Sequence, residues 1–575
     1  MVQVPGMTGT RGLRRRETAG HALAGAYDFV VVGSGAAALV AALVASAGGL
    51  RVLILEKTGK IGGTSAMSGA GTWIPANHLA RAAGIADSAE EALTYLRSAA
   101  PDGWAGQEEP LWRAFVTQAP RMLEFVERHT PLRFELTDEP DIFAEHPGGK
   151  PVGGRVVSPR ALSRRVVGRY ARALRRSTLP HIFTYGEMKH ADPYHHPVRA
   201  AFRLLPRLAY RMVTNSAGQG SALVTGLLKG CLDHGCRVEL DAPVLRLLQD
   251  GSGRVTGVQL DGRQVEASRG VLLATGGFEW DPAMLAAHFP GPLDRLGSPR
   301  SNTGDGQRMA AEAGVRLDRM DQANICPTLP TTYEGQPHGL PMIFQAEPHA
   351  ILVNRHGRRF ASEYDFNLGE WMDQREADGS PRHLPAWLIA DRRFLRGSMP
   401  LRHYARKQGG WVRRAGSIAR LADAIGVPPA ALVGTVARFN GFCAAGHDAD
   451  FHRGEGAWQR FKAGIGPGTD GNPALGAIEQ GPFVAIPFNR SILGTKGGAR
   501  TDDRGRALRP DGSLVPGLFC AGLAMANPIG TRTVGSGTTI GPNMTWGFIA
   551  ASTVLGNAAP QPQATRPQAA KDERT

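Results

Sequence analysis

The sequence predicts an α/β protein built on a doubly wound, Rossmann-like parallel sheet, and three stretches predict it. Residues 27–57, YDFVVVGSGAAALVAALVASAGGLRVLILEK, read as strand, glycine turn, alanine-rich helix and second strand. Residues 270–277, GVLLATGG, and 516–522, PGLFCAG, are further apolar runs that close on glycine. Short apolar runs bounded by glycine and separated by helical patterns are what buried parallel strands and their crossovers require.

In the first stretch the strands are the apolar runs 29–32 and 52–55. Gly33 turns the chain, Gly35 lets backbone approach a pyrophosphate, and small Ala38 lets the helix lie tight on the sheet. The helix N-terminus offers unpaired N–H groups and the positive end of its dipole to phosphates. Glu56 closes the second strand, where an acid takes ribose hydroxyls. The unit therefore predicts a bound dinucleotide. The loop that follows, GKIGGTSAMSGAGTWIP at 59–75, is crowded with Gly, Ser and Thr. Its amides and hydroxyls suit a flat, phosphate-bearing group, a solvent loop being the alternative.

A chain of 575 residues with 42 % hydrophobic and 20 % charged positions is long enough for two or more cored domains. The five cysteines, Cys231, Cys236, Cys326, Cys443 and Cys520, show no CxxC spacing, so neither a disulfide framework nor a metal site is expected. That usage favours a reducing, cytoplasmic compartment. Nowhere do about 18 consecutive apolar residues occur, so no membrane span is expected. Arg11, Arg14, Arg15 and Arg16 are not followed by the apolar core of a secretory signal, and residues 1–25 and 557–575 are expected to be loose tails. The net charge of +15 admits nucleic acid, an anionic membrane surface or simple solubility. Without zinc-finger spacing or an RNA-motif aromatic pattern, nucleic acid is set aside.

Helical periodicity runs through 89–99 and 112–128. Residues 159–215 are basic: Arg164, Arg165, Arg169, Arg172, Arg175 and Arg176 come first. Arg199, Arg203, Arg207 and Arg211 then recur every fourth position, with Val198, Phe202, Leu205 and Met212 on another face. Pro206 should kink this helix. Such a helix suits peripheral contact with an anionic membrane through 164–211, or a solvated face over the domain's own core. Residues 220–241 read as a helix feeding a strand at 237–240. A hairpin follows, 255–260 and 264–267, joined at Asp261-Gly262, then a separate strand at 270–275. This return to sheet divides the chain into a nucleotide domain at 26–301 carrying the basic insertion, a catalytic substrate domain at 302–484 richer in Pro, Arg and His, and a second part of the nucleotide domain at 485–556.

The ordered set GSGAAA, LEK, GGTSAMSGAG, LATGGF, NRHGRRFASE, GTKGGARTD, GLFCAG and TIGPNMTWGF resembles the fumarate reductase and succinate dehydrogenase flavoprotein superfamily. Within it the chain is most similar to the 3-ketosteroid Δ1-dehydrogenase branch, over about residues 27–555. The resemblance implies a doubly wound FAD-binding domain interrupted by an α+β capping domain, with the active site where the two meet. It implies FAD contacts at Gly33, Ser34, Gly35, Ala37, Ala38, Glu56 and Lys57, in the loop at Gly63, Thr64, Ser65, Ser68, Gly69 and Gly71, and at Ala274, Thr275, Gly276, Gly522, Thr539 and Ile540. No histidine stands at 64–71, where succinate dehydrogenases tether the flavin, so non-covalent FAD is implied. The implied activity is oxidation of a CH–CH bond beside a ketone in a steroid-like or cyclic apolar substrate. A donor polarises the oxygen, a base takes the α proton and the flavin takes a hydride. The external electron acceptor is left open.

Three tyrosines of that branch have no match here. Asn367 stands four places after Glu363 where one belongs, Thr533 stands four before Gly537 where another does, and Ile142 or Phe143 replaces the third. Asn is no base near neutral pH and Thr is a far weaker acid than Tyr. The candidates for the vacated roles are Tyr364, beside Glu363, as acid or base, and Arg532 as the group holding a carbonyl or carboxylate. Thr533 and the Gly537 amide would form an oxyanion site, with Asn367 beside them. An ene reductase with Arg532 on a carboxylate, and an FAD-binding protein without this chemistry, are the alternatives.

Overall fold

The computed structural model describes residues 27–466 and 469–556, and both expected tails lie outside them. β1 (Tyr27–Val32) pairs in parallel with β2 (Val52–Leu55) on one side and with Arg263–Leu273 on the other. The order across the sheet is Arg506–Leu508, Leu514–Cys520, Arg263–Leu273, β1, β2 and Arg237–Glu239. Residues 270–273 and 516–520 thus become neighbours of β1, as buried apolar runs do in a doubly wound sheet.

The expected hairpin forms at Asp261-Gly262, with Leu260 opposite Arg263. Its second strand does not stop at 267. It continues as Arg263–Leu273, its outer half antiparallel to Val255–Leu260 and its inner half parallel to β1, so the separate strand expected at 270–275 is a continuation. Gly270, at φ 143°, absorbs the change of direction where it meets Gly517 O.

Between β1 and β2 runs α1 (Ala36–Ala47), buried over nearly its whole surface between the helices Gln219–Asp233 and Ile540–Val554. Its composition, Ala with Leu and Val, is that of a helix apolar all round. The expected helix at 112–128 extends to Ala105–His129. Pro206 lies inside Pro197–Thr214 without ending that helix.

A second, antiparallel sheet is built from Ala350–Val353, Trp387–Ala390, Phe483–Pro487 and Arg413–Ala415. Beneath it Glu363 is wholly buried, accepting hydrogen bonds from Leu352 N at 2.8 Å, Arg359 Nη2 at 2.9 Å and Arg453 Nη1 at 2.9 Å. Burial alone would raise its pKa, but the two guanidiniums hold it below the ordinary carboxylate value.

Lys496, by contrast, has no carboxylate partner among the described residues. Lys496 is wholly buried with its Nζ on Gly530 O at 2.5 Å, and burial pushes its pKa down to about 7. An unfolded lysine keeps its proton to about pH 10, so between those values the unfolded state binds the extra proton and stability rises with pH. Lys496→Met is therefore expected to raise Tm by about 2 °C or more near pH 6 and progressively less toward pH 10. Equal shifts at both ends of that range in a calorimetric pH series would rule this out.

Candidate active site

The turn after β1 is made by Gly33 at φ 109°, where a Cβ would lie 2.4 Å from Ala274 O. Gly35 caps α1 and is different: a Cβ there meets only Ser65 Oγ, at 3.6 Å, because the position faces an open groove. The first turn of α1 has no acidic residue and no side-chain cap, and Ala36 N donates to Ser65 Oγ at 3.1 Å. The groove runs from this helix end along Glu56, Thr275 and Gly276 to Gly522, Thr539 and Ile540. Glu56 accepts from Ser34 Oγ at 2.6 Å and Thr58 Oγ1 at 2.9 Å, which fixes its carboxylate at the groove wall. Thr275 Oγ1 is buried there without a hydrogen-bond partner among the described residues. Free amides at a helix N-terminus, a fixed acid and an orphaned hydroxyl along one groove are what a pyrophosphate-bearing dinucleotide needs, and the residues fit it.

At Met67, Ser68, Asn324, Pro341, Leu493, Thr539 and Ile540 the groove opens into a second cavity, a slot of about 1000 Å³. Its walls are chiefly apolar, with Phe183, Met188, Ile325, Met342, Phe366 and Met372 among them. Tyr185, Lys189 and Ser536 are among its polar residues. Tyr185 lies over Gly69 and Gly71, and its Oη donates to Glu139 Oε2 at 2.8 Å. Glu139 also accepts from Lys189 Nζ at 3.0 Å and Ser536 Oγ at 2.6 Å. Burial, and then the Glu139 charge, push the Tyr185 pKa up; Lys189, which burial would lower, is raised by Tyr185 and Glu139. Tyr194 and Tyr404 line the slot as well. Gly537, at φ 89°, lies so close to the loop that a Cβ would be 2.3 Å from Gly71 O, and its N–H has no hydrogen-bond partner among the described residues.

Residues 28–540 match the FAD binding domain family. The chain belongs to this family. It is 37 % identical over 551 residues, 93 % of either chain, to 4-oxocyclohexanecarboxylate 2-dehydrogenase of Sinomonas cyclohexanicum. It is 35 % identical over 566 residues to 3-oxosteroid 1-dehydrogenase of Mycobacterium tuberculosis, 91 % of this chain and 97 % of the relative. Among solved structures, 3-ketosteroid Δ1-dehydrogenase from Sterolibacterium denitrificans, in complex with 1,4-androstadiene-3,17-dione, superposes with a TM-score of 0.83 at 32 % identity, over 92 % of this chain and all of the other.

The flavin groove gathers most of the residues expected for the cofactor: Gly33, Ser34, Gly35, Ala37, Glu56, Lys57, Gly63, Thr64, Ser65, Ser68, Ala274, Thr275, Gly276, Gly522, Thr539 and Ile540 all line it. Ala38 does not; it is buried in the core around α1. Gly69 and Gly71 line the slot instead. Lys57 binds Thr303 Oγ1 and Asp305 Oδ2 at 2.8 and 2.6 Å, bringing in the start of the helix Asp305–Glu312. Asn302, Asp305, Asn324, Leu493 and Asn543 also line the groove and were not anticipated. Asn302 comes from a loop, Asp305 and Asn543 from the helices Asp305–Glu312 and Ile540–Val554, and Asn324 and Leu493 from the short strands Ala323–Ile325 and Arg490–Thr495, none with a motif about it; Asn302 is identified only by its bonds to Thr64 Oγ1 and Glu279.

Of the five expected catalytic residues only Gly537 lines the slot. Tyr364 is 3 % exposed among Ala346 and Ala474, with the Arg453 guanidinium 4.9 Å from its ring centroid, and burial pushes its pKa up to about 12. Arg453 is held by Glu363, so the residue after Glu363 is drawn into the ion network and away from the flavin groove. Arg532 is paired through Nε with both oxygens of Glu370, at 2.9 and 2.8 Å. Asn367 and Thr533 close on each other: Asn367 Nδ2 donates to Thr533 O at 3.0 Å and Thr533 N donates to Asn367 Oδ1 at 2.7 Å. Donor and acceptor of the amide are both engaged, so neither residue faces the slot.

Because Gly35 faces the groove while the space around Gly33 is filled by backbone, Gly35→Val is expected to yield folded protein with native circular dichroism and no visible flavin absorbance. Gly33→Val should compromise folding itself. Retention of flavin by Gly35→Val would contradict the assignment of the groove.

Proposed function

We propose that this chain is an FAD-dependent dehydrogenase that removes two hydrogens from adjacent carbons beside the ketone of a steroid-sized apolar substrate. The observation that carries the proposal is the slot wall at Gly71, against which both the Tyr185 phenol and Gly537 pack, the Gly537 amide having no hydrogen-bond partner among the described residues. The dehydrogenases to which the chain is similar support the reaction class. The slot's size, at the upper end for a small-molecule site, and its apolar walls favour a polycyclic ketone over a monocyclic carboxylic acid.

In this reading the Gly537 N–H donates to the ketone oxygen and stabilises the charge that develops there. The α carbon is one bond from the carbonyl carbon, so its proton falls to the same wall. Tyr185 takes that proton as it hands its own to Glu139. With its pKa raised, the phenol stays protonated at rest and works as a relay through Glu139. Lys189 sets a positive charge against the Glu139 carboxylate. When bound, the flavin supplies the acceptor for the hydride that leaves the β carbon. With no histidine at 64–71, it is held non-covalently and should be released on denaturation. The ene-reductase reading loses its support, since Arg532 is spent on Glu370. An apolar ketone partitions into lipid, and peripheral membrane contact through 164–211 belongs to the same proposal.

Anaerobic bleaching of the flavin by 3-ketosteroids but not by 4-oxocyclohexanecarboxylate is the expected result. Re-oxidation of reduced enzyme by fumarate, with no bleaching by any ketone, would overturn the proposal. Tyr185→Phe should slow flavin reduction by about 10²–10⁴-fold with flavin content intact, whereas Tyr364→Phe should leave the rate unchanged. The reverse pattern would remove the relay.

A further inference from the structure

Resting on the reading of an apolar ketone substrate, we infer that the helix Pro197–Thr214 is a docking face that seats the mouth of the slot on an anionic lipid bilayer. This helix has three sides. On the first, Ala200 and Leu204 are buried against Ala191, and Arg211 forms a buried ion pair with Glu187 at 2.5 Å, which fastens the helix to the protein. On the second, Pro197, Ala201 and Leu208 form part of the slot wall. The third carries Val198, Phe202, Leu205 and Met212 at helical spacing, 68, 76, 57 and 72 % exposed. A single exposed apolar side chain needs no explanation. A stripe of them along a helix about 27 Å long, covered by none of the described residues, calls for an occupant.

Charge selects the occupant. Arg199 and Arg203 flank the stripe, and Arg165, Arg169 and Arg172 stand exposed on the adjoining segment Arg164–Arg172. The helix Met399–Lys407 also lines the slot, contributing Met399, His403 and Tyr404 and exposing Arg402, Arg406 and Lys407. None of these cations pairs with a carboxylate among the described residues; Glu187, on the neighbouring helix, is taken by Arg207 and Arg211. A second copy of the chain packed on the stripe would set like charges together. An anionic bilayer satisfies both parts, receiving the apolar side chains at the acyl boundary while arginine stems snorkel to the phosphates. Since one edge of this helix is slot wall and the next is the stripe, a lipid-dissolved ketone would pass from bilayer to slot without crossing water.

The test is flotation of the flavin-loaded protein with vesicles of phosphatidylcholine alone or mixed with phosphatidylglycerol. Binding to the anionic vesicles is expected at low salt and should weaken as salt shortens the screening length. Phe202→Asp combined with Met212→Asp should lower partitioning about tenfold or more, with flavin content and turnover of a water-dissolved ketone unchanged, since neither side chain lines the slot. Arg199→Ala with Arg203→Ala should lower binding to the anionic vesicles only. Failure of the loaded protein to float at low salt, or flotation indifferent to the paired aspartates, would overturn the inference, as would a concentration-dependent dimer that those aspartates dissolve. Flotation needs no turnover, so protein that floats yet is bleached by no ketone supports the docking face and refutes the activity. Protein that is bleached but does not float does the opposite.

Discussion

The site depends on contacts made where side chains are missing. The C-terminal segment reaches the loop after β2 only because a Cβ at Gly537, which would lie 2.3 Å from Gly71 O, is absent. The helix that follows packs on α1 only because Gly547 lies so near the Ala37 carbonyl that a Cβ would be 2.2 Å away. Three remote stretches, around 33–37, 69–72 and 537–547, are joined by backbone against backbone. Interiors are close-packed and respond sharply to added volume, so these contacts fix the relation between the end of α1, the flavin groove and the Gly537 amide to within a methyl group. The amide is thereby preorganised, which is what an oxyanion donor requires.

The same rigidity explains how the tyrosines expected in the two motifs can be absent without emptying the site. Asn367 and Thr533 still join those motifs, through a two-way amide clasp in place of phenols. The phenols of the slot come from elsewhere: Tyr185 and Tyr194 from the basic insertion, Tyr404 from the helix Met399–Lys407. The insertion must then be held as firmly as the core. The Arg211–Glu187 pair joins its two helices, and Tyr185 and Lys189 on Glu139 tie it to the rest, as does the bridge from His195 to Asp192 and Glu347, whose two carboxylates raise the histidine pKa to about 10. Those hydrogen bonds to the charged imidazole are fully present below its unfolded pKa of about 6.5 and are lost only as pH climbs through the folded value, so the insertion stays docked across neutral pH.

What was legible in the sequence follows the range of the forces. The unit 27–57 could be read because its signals are local: glycine at a left-handed turn, apolar runs of strand length, alanine in a helix buried all round. The hairpin at Asp261-Gly262 could be read for the same reason, whereas its fusion with the next strand could not, since Gly270 continues the chain through a conformation fixed by Gly517 across the sheet. Tyr364 follows a motif glutamate in sequence, yet its position is decided by Arg453, far along the chain and bound to that glutamate. Tyr185 sits in an arginine-rich stretch with no motif about it, and only its apposition to Gly69 and Gly71 gives it a place in the site.

The net charge of +15 divides along the same line. In the interior, buried guanidiniums are matched: Glu363 with Arg359 and Arg453, Asp141 with Arg155, Glu108 with Arg319 and Arg500. Burying an unpaired guanidinium would cost several kcal/mol, so the core admits such groups only with partners. The unmatched arginines around the slot have no role in holding the fold, for exposed charges contribute little to stability even when paired. Their effect reaches outward, as a field beside the slot, where an apolar molecule would have to leave its solvent. Charge that the fold does not need, beside an apolar stripe that the core does not cover, marks the side of the molecule on which its surroundings complete the structure.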